Sequence, residues 1–232
     1  MIIKGKQSLI PACDLASIDE LRHLVEQTHG LEGIGAYKIG FQLALPFGLK
    51  EVVKCIRGLT DKPIIYDHQK AGTDIPATGK KFFKACEGVD AVIIFPQAGP
   101  VTEEQWINDA KEAGMPVIVG GEMTHPGYLQ NDGGFLANDA PERIYKLASS
   151  LGVTDFVVPG NKPERIIHYR ELFDDLGITP TFYSPGLVSQ GGELTTAAAA
   201  AGENWHAIVG RALYDAKDIR KAAEQLLAFR KE

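Results

Sequence analysis

The sequence predicts an α/β fold, a single (β/α)8 TIM barrel that spans residues 1–232 as one domain. Two observations lead to this prediction. Eight short apolar runs alternate with amphipathic segments along the 232 residues, which is the number of strands such a barrel needs. The first run continues into "ACDLAS", which lacks the glycine-rich turn expected after the first strand of an open doubly wound sheet. A closed barrel therefore fits the pattern better than an open sheet.

The eight predicted strands are rich in Val, Ile, Phe and Tyr and show no clean alternation of polar and apolar residues. Parallel strands that are buried on both faces have this appearance. The predicted strands lie at 8–14, 36–41, 62–67, 90–95, 115–120, 154–159, 179–184 and 205–210.

Helical segments follow the strands and carry recognisable start signals. Segment 17–30 begins with Ser17 as the N-cap and has Glu20 three residues later, the spacing of a capping box. Segment 102–114 has Thr102 as its predicted N-cap. Further helices are predicted over 140–152, 162–177, 195–202 and 215–232.

Composition narrows the classes of partner. The net charge is −6 and no helix or terminus carries a basic run, which argues against nucleic acid or an anionic membrane as a general partner. We find no signal peptide and no apolar stretch of membrane-spanning length. Cys13, Cys55 and Cys86 are odd in number and lie among apolar or helical residues, which predicts reduced core thiols. We therefore expect a cytoplasmic protein.

Charged residues cluster at the predicted carboxyl ends of the first three strands, where the active site of such a barrel lies. Asp14 ends the first strand, Lys38 lies in the second, and Asp67 and Lys70 follow the third. One interpretation is a set of solvated ion pairs around the rim. Four alternating charges on three neighbouring strands favour a site instead, in which opposite charges keep one another ionised and Lys70 delivers a proton to a developing carbanion.

The end of the chain has the features of a phosphate site. "SPGLVSQGG" follows the seventh predicted strand and "IVGRALY" includes the end of the eighth. Gly191 and Gly192 allow the backbone to approach an anion, and Arg211 adds a forked donor. The alternative is two flexible loops with a surface arginine. The sequence favours a phosphorylated small molecule as ligand.

A long loop over 123–140 follows the fifth strand, and we expect a lid or substrate-contacting role rather than a plain surface loop. His125 is expected to be structural. The pair Asp67 and His68 is a weak candidate for metal binding, and no spacing of His, Cys, Asp and Glu predicts a metal site.

Several motifs together resemble the orotidine 5′-phosphate decarboxylase family, over nearly the whole chain. "PACDL" resembles the first-strand aspartate of the family, and "YKIG" resembles its second-strand lysine. "GGEMTHPG" and "DIPAT" are similar to further family segments. "SPGLVSQGGE" together with "IVGRALYDAKD" is the most specific match.

The resemblance implies a homodimer that decarboxylates orotidine 5′-monophosphate to UMP, the last step of de novo pyrimidine synthesis, with no cofactor and no metal. It assigns Lys70 the protonation of a vinyl carbanion and places Asp67 beside the substrate carboxylate. Asp74 and Thr78 would reach the neighbouring site of the dimer. The remaining predicted catalytic or substrate-binding residues are Lys38, Asp14, Thr124, Pro185, Gln190, Gly191, Gly192, Gly210 and Arg211.

The sequence departs from the family at one motif. The family has Asp-x-Lys-x-x-Asp, whereas this chain has one more residue in each gap between Asp67, Lys70 and Asp74. A bulge past the strand end would restore the direction of the lysine, and Gly72 would ease the second insertion. Alternatively, His68 occupies the position of the first aspartate of the family.

Two other functions stay open. A related Mg²⁺-dependent sugar-phosphate decarboxylase or aldolase would share the barrel, but the resemblance implies an acid at the position of Lys38 there, and a lysine disfavours the cation. A non-catalytic barrel that binds a phosphate ligand is the second alternative.

Overall fold

The computed structural model describes residues 2–68 and 71–230. Within these ranges, eight parallel strands form a closed barrel in the order of the sequence, which confirms the predicted fold. Each predicted strand is present, with bounds that shift by at most a few residues. The strands are β1 Gln7–Cys13, β2 Tyr37–Gly40, β3 Ile64–Asp67, β4 Ala91–Ile94, β5 Val117–Gly120, β6 Asp155–Val157, β7 Thr181–Ser184 and β8 Trp205–Val209.

Helices cover the outside of the barrel and connect its strands. In the described part of the chain they are α1 Ile18–Thr28, α2 Phe41–Phe47, α3 Leu49–Arg57, α4 Gly79–Ala85, α5 Pro100–Glu112, α6 Ala140–Ser150, α7 Pro163–Asp175, α8 Leu194–Ala201, α9 Arg211–Tyr214 and α10 Ile219–Leu226. None of these helices has the length and apolar character needed to cross a membrane.

The predicted N-cap of α1 is confirmed. The hydroxyl of Ser17 accepts a hydrogen bond from the backbone N–H of Glu20 at 3.2 Å. The carboxylate of Glu20 in turn accepts from the backbone N–H of Ala16 at 2.9 Å, which satisfies a second free donor at this helix end.

Two helix starts were predicted wrongly. The helix predicted from Thr102 begins at Pro100, because proline tolerates the first turn, where its missing N–H has no partner to lose. The hydroxyl of Thr102 instead donates to the carbonyl of Asp74 at 3.0 Å. The last helix begins at Ile219 rather than at 215, because Asp218 caps it.

Alternate strand residues divide the core into two layers. Inward-facing side chains fill the barrel itself, whereas outward-facing ones pack against the helices. The inward set includes Ile10, Ile65, Ile93, Ile118, Val157 and Ile208. Because the middle of the barrel is filled, polar chemistry is confined to its two ends.

At the amino-terminal end of the barrel, His206 bonds to the hydroxyl of Ser8 at 2.8 Å. Burial lowers the pKa of His206 to about 4, so the ring is neutral at physiological pH. Tyr183 donates to Asp155 beside it at 2.9 Å. These contacts lie at the end of the barrel opposite the predicted site. The three predicted core thiols, Cys13, Cys55 and Cys86, are buried and free.

Glu103, in the first turn of α5, is buried with only 2% of its surface exposed. Its Oε1 atom has no hydrogen-bond partner within the described residues. Burial raises the pKa of Glu103 to about 8, against a smaller opposing effect of a hydrogen bond from the backbone of Ala148. The folded protein therefore holds a proton that the unfolded chain releases at lower pH.

We expect this proton to make stability fall as pH rises. Between about pH 5 and pH 8 the folded state binds one proton more than the unfolded state, so the free energy of unfolding decreases by about 1.4 kcal/mol per pH unit from this group. Glu103→Gln removes the contribution. Urea unfolding at several pH values should show the variant gaining stability relative to wild type as the pH increases.

The control is Glu104→Gln, which replaces the exposed neighbour on the same helix. It should leave the pH dependence of unfolding unchanged. A constant offset between Glu103→Gln and wild type over the whole range would contradict the raised pKa.

Candidate active site

A cavity of about 330 Å³ opens at the carboxyl ends of the barrel strands. Both charged and apolar side chains line this cavity. Its lining comprises Ala12, Asp14, Lys38, Asp67, Ile93, Phe95, Glu122, Met123, Thr124, Val157, Pro185, Gly186, Leu187, Ser189, Gln190, Ile208, Gly210, Arg211 and Tyr214. Eight of the residues predicted from the sequence are in this set, namely Asp14, Lys38, Asp67, Thr124, Pro185, Gln190, Gly210 and Arg211.

Lys38 lies between two carboxylates on the neighbouring strands. Its Nζ atom is 3.4 Å from Oδ1 of Asp14, just past β1, and 3.3 Å from Oδ2 of Asp67, at the end of β3. The side chain of Lys38 is only 6% exposed. Burial alone would lower the pKa of Lys38, but the two carboxylates outweigh burial and raise it. The ammonium therefore stays charged and orients both acids toward the cavity.

Lys70, the predicted proton donor, lies outside the described residues, as does part of the segment past the strand end for which a bulge is predicted. The flanking residues are described. Asp67 faces the cavity and Lys38, whereas the exposed His68 turns its Nδ1 atom to the hydroxyl of Tyr66. The ring of His68 lies 5.9 Å from that of Phe82 on α4. In this geometry Asp67, rather than His68, occupies the position next to the lysine of the second strand.

Gly72 has φ of 92°, in the left-handed region that favours glycine. A Cβ atom there would lie 3.1 Å from Cα of Pro96. Both the conformation and the close approach of the backbone favour glycine at 72, and its role in accommodating the longer motif stays a prediction.

Asp74 and Thr78 do not line the cavity within one chain. Asp74 is exposed, and its carboxylate accepts from the N–H of Ile75 at 2.7 Å. The half-buried Thr78 donates to the carbonyl of Ile75 at 2.8 Å. Thr102 and Trp106 of α5 donate to the carbonyls of Asp74 and Ile75, at 3.0 and 3.2 Å, so α5 holds this loop in place.

The predicted anion end differs in detail from the sequence interpretation. Gln190 and Arg211 line the cavity, but Gly191 and Gly192 do not. The N–H of Gly191 donates to the carbonyl of Val188 at 3.0 Å, and that of Gly192 donates to the carbonyl of Gly186 at 3.3 Å. These two amides therefore stabilise the turn in this structure rather than face the cavity.

Val188 in the same turn adopts φ of 58°, which is unusual for a β-branched residue. Its N–H donates to the carbonyl of Gly192 at 2.7 Å, and this bond closes the turn that presents Gln190. A Cβ atom on Gly192 would lie 2.8 Å from the carbonyl oxygen of Gly186. Glycine at 192 is thus required by the close approach of the backbone.

The loop over 123–140 contributes only Met123 and Thr124 to the cavity. Its next part is tied to the barrel by Tyr128, which donates to the carbonyl of Gly121 at 3.0 Å and accepts from Gln97 at 2.6 Å. His125 packs its ring against Tyr128 with centroids 5.7 Å apart and does not line the cavity.

Among the described residues, no group of three or more His, Cys, Asp or Glu side chains is arranged so that it could hold a metal ion. The weak candidate pair, Asp67 and His68, diverges, because one side chain faces the cavity and the other faces α4.

The apolar wall of the cavity was not predicted from the sequence; it is made by Ile93, Phe95, Met123, Val157 and Ile208. A signal was present for part of it. Asp67 pairs with Ile93 in the register of β3 and β4, so an inward-facing Asp67 makes Ile93 an inward-facing neighbour. Phe95, two residues beyond Ile93 and just past β4, then also faces the cavity.

Phe95 lies over Gly120, the last residue of β5. A Cβ atom built on Gly120 would come within 2.2 Å of Cζ of Phe95. The absence of a side chain at 120 therefore makes the space that the ring of Phe95 occupies, and this ring forms part of the cavity wall.

The chain is similar to known proteins over nearly its whole length. The family model described as "Orotidine 5'-phosphate decarboxylase / HUMPS family" matches residues 7–226. This chain belongs to that family. An orotidine 5′-phosphate decarboxylase from Methanosarcina barkeri is 34% identical over 232 residues, which cover 97% of this chain and 96% of the relative. One from Methanocaldococcus jannaschii is 31% identical over 218 residues, covering 94% and 95%.

Solved structures of family members share the barrel. The crystal structure of orotidine 5′-monophosphate decarboxylase from Methanocaldococcus jannaschii, complexed with the inhibitor BMP, aligns with a TM-score of 0.85 at 28% identity. The alignment covers 98% of this chain and 100% of that one. A crystal structure of the enzyme from Pyrococcus horikoshii aligns with a TM-score of 0.78 at 26% identity, over 95% of this chain and 98% of the other.

We predict that Gly120→Ala disrupts the wall through Phe95. The added methyl group has to displace a buried aromatic ring, which costs about 1–3 kcal/mol of unfolding free energy. Combining it with Phe95→Leu should recover part of this loss, because the smaller side chain leaves room for the methyl group. Urea unfolding of the two single variants and the double variant measures the coupling between them.

Gly30→Ala is the matched control, because a Cβ atom there would have no neighbour within 4 Å and its φ is ordinary. It should change the unfolding free energy by less than about 0.5 kcal/mol. Strictly additive effects of the changes at 95 and 120 would show that the two positions do not compete for space.

Proposed function

We propose that this protein decarboxylates orotidine 5′-phosphate to UMP, the last step of de novo pyrimidine biosynthesis. The observation that carries the proposal is the buried Lys38 held between Asp14 and Asp67, on the same cavity as Arg211. The activity is that of relatives which match this chain along nearly its whole length. The acids and the lysine supply the polar contacts that a nucleotide needs, and the arginine supplies a cation for its phosphate.

The lining of the cavity offers a separate place for each of the three parts of a nucleotide. Its phosphate would lie at Gln190 and Arg211, because a guanidinium offers several donors to one anion. The ribose hydroxyls would lie at Asp14 and Lys38. The pyrimidine would lie between the apolar wall and Thr124, whose hydroxyl would contact the polar edge of the base.

The chemical step follows from the charges. Asp67 would lie beside the substrate carboxylate and favour its departure as uncharged CO₂. When the C–C bond breaks, its electron pair stays on the ring carbon, and the ammonium of Lys70 donates a proton to that carbon. Solvent then returns a proton to Lys70. Lys38 keeps the two acids oriented throughout, since its own charge is fixed by them.

The Mg²⁺-dependent alternative fits this cavity less well. The ammonium of Lys38 lies where a cation would have to bridge Asp14 and Asp67, at 3.4 and 3.3 Å from their oxygens. A second cation there would be repelled at close range.

The active form is proposed to be a homodimer in which Asp74 and Thr78 complete the neighbouring site. Within one chain both lie outside the cavity, on a loop that α5 fixes in place. Apolar side chains beside them are open to solvent, with Ile75 at 62% and Val101 at 69% exposure. Such a patch next to functional polar residues is typical of a surface that another subunit covers.

The three free thiols favour a reducing compartment, and we place the enzyme in the cytoplasm.

The proposed activity predicts turnover of orotidine 5′-phosphate without added metal. Purified protein in EDTA should convert orotidine 5′-phosphate rapidly, as followed by loss of the orotate absorbance. Lys70→Ala should reduce kcat by at least about 10²-fold, because proton transfer from a positioned side chain contributes about that much. UMP should still bind to the variant.

Two outcomes would contradict the proposal. Binding of UMP without turnover by wild type would identify a non-catalytic barrel. Turnover of a sugar phosphate that depends on added Mg²⁺ would identify the alternative enzyme class.

The second prediction concerns the shared site. Lys70→Ala and Asp74→Ala, each nearly inactive alone, should regain about a quarter of wild-type activity when coexpressed in equal amounts, because half of the dimers are mixed and each holds one intact site. The measurement is the specific activity of the copurified mixture. Each variant coexpressed with wild type gives the control for subunit mixing. No recovery would mean that Asp74 acts in its own subunit.

A further inference from the structure

An ion cluster with a buried central carboxylate lies beside the cavity, just past the end of β5. Its centre is Glu122, whose side chain is 3% exposed. Oε1 of Glu122 accepts from Nζ of Lys162 at 3.0 Å, and Oε2 accepts from Nε of Arg165 at 2.8 Å and from the hydroxyl of Tyr169. We refer to Glu122, Lys162, Arg165 and Tyr169 as the Glu122 brace. It joins the end of β5 to the first two turns of α7.

The brace holds a stretch of backbone that lines the cavity. Nζ of Lys162 also donates to the carbonyl of Met123 at 3.2 Å. The amide of Asn161 donates to the carbonyl of Thr124 at 3.0 Å. Three consecutive residues, 122–124, are thus fixed to the start of α7, and all three line the cavity.

The contacts of Glu122 favour a positioning role over proton transfer. Both of its oxygens are occupied by donors from α7 and its N-cap. Burial favours its protonated form, but the hydrogen bonds from Tyr169, Arg165 and Lys162 outweigh burial and lower its pKa. Glu122 is therefore ionised and held, and it acts on a ligand only through the residues it positions.

Within the brace, Arg165 and Tyr169 also contact each other. Nη2 of Arg165 donates to the hydroxyl of Tyr169 at 2.7 Å, and the guanidinium carbon lies 4.8 Å from the centre of the tyrosine ring. Arg165 is thus held by two groups on Tyr169 as well as by Glu122. This planar, forked arrangement fixes the direction of the carboxylate in a way that a lysine at 165 would not.

We propose that Glu122 is a positioning residue that sets the place of Met123 and Thr124 against the base of the nucleotide. The proposal rests on the function proposed above, in which Thr124 contacts the pyrimidine. It adds a specific division of labour, in which the brace positions residues 122–124 beside the base, whereas the phosphate binds at Gln190 and Arg211, on the loops after β7 and β8.

The charges of the brace predict how Glu122→Gln affects binding of the base and of the phosphate. The brace contains two cations and one anion, so Glu122→Gln leaves Lys162 and Arg165 without a balancing carboxylate. The displaced wall weakens binding of the base, whereas the added positive charge does not weaken binding of an anion. General disruption of the cavity would weaken both.

The test compares two ligands. In Glu122→Gln, the dissociation constant of UMP should rise about tenfold, as expected for the loss of a hydrogen bond to a charged group, while that of ribose 5-phosphate stays within about twofold. KM for orotidine 5′-phosphate should rise with it. Calorimetric binding of both ligands and steady-state kinetics supply the readouts.

Three further variants of the brace should change binding of UMP by different amounts. Arg165→Met should act in the same direction as Glu122→Gln, and Arg165→Lys should recover part of the loss because it restores the charge without the fork. Tyr169→Phe removes one of the bonds to Glu122 and should have the smallest effect. Arg220→Met, which removes an exposed pair with Glu224 on α10, is the control and should bind both ligands as wild type does.

The outcomes separate the inference from the function it rests on. If wild type binds UMP and turns over its substrate but the brace variants weaken UMP and ribose 5-phosphate equally, or neither, the positioning role is wrong and the function stands. If Glu122→Gln does not fold, the milder Tyr169→Phe and Arg165→Lys carry the comparison. If wild type neither binds UMP nor decarboxylates the substrate, both the function and the inference are overturned.

Discussion

The contact of Lys38 with Asp14 and Asp67 is the interaction on which the rest of the cavity depends. A buried ammonium costs several kcal/mol unless opposite charges surround it, and here the two acids come from the strands on either side. The three charges therefore hold the carboxyl ends of β1, β2 and β3 in one arrangement. Because the barrel is closed, β1 also pairs with β8 through Pro11 and Val209, which brings the arginine of α9 to the same opening.

Most of the fold could be predicted from the sequence because buried parallel strands have a distinctive composition. Helix starts were less predictable, since several residues near a helix end compete to begin it. Thr102 is a good N-cap by type, yet Pro100 starts the helix, and the threonine hydroxyl is taken by Asp74 instead. That contact joins segments far apart in the sequence, and local patterns carry no information about it.

The charged residues Asp14, Lys38 and Asp67 were also predictable, because they lie in or just past strands that the pattern locates. The contacts of Glu122, which lies in "GGEMTHPG", were not predicted. Its partners are about 40 residues away in the sequence, at the start of another element. Asp74 and Thr78 show the converse case. The resemblance implied that both act in the neighbouring site of a dimer, and they lie outside the cavity of their own chain. The role of Lys70 remains a prediction from the sequence.

The fit of Phe95 over Gly120 has an evolutionary consequence. Phe95 lies just past β4, Gly120 ends β5, and the two share one volume, so a side chain at 120 requires a smaller one at 95. A lineage that gains a side chain at 120 must first, or at the same time, accept a smaller one at 95, and the intermediate with both side chains is selected against. The two positions should therefore covary among relatives, and the shape of the pocket would change in discrete steps rather than gradually.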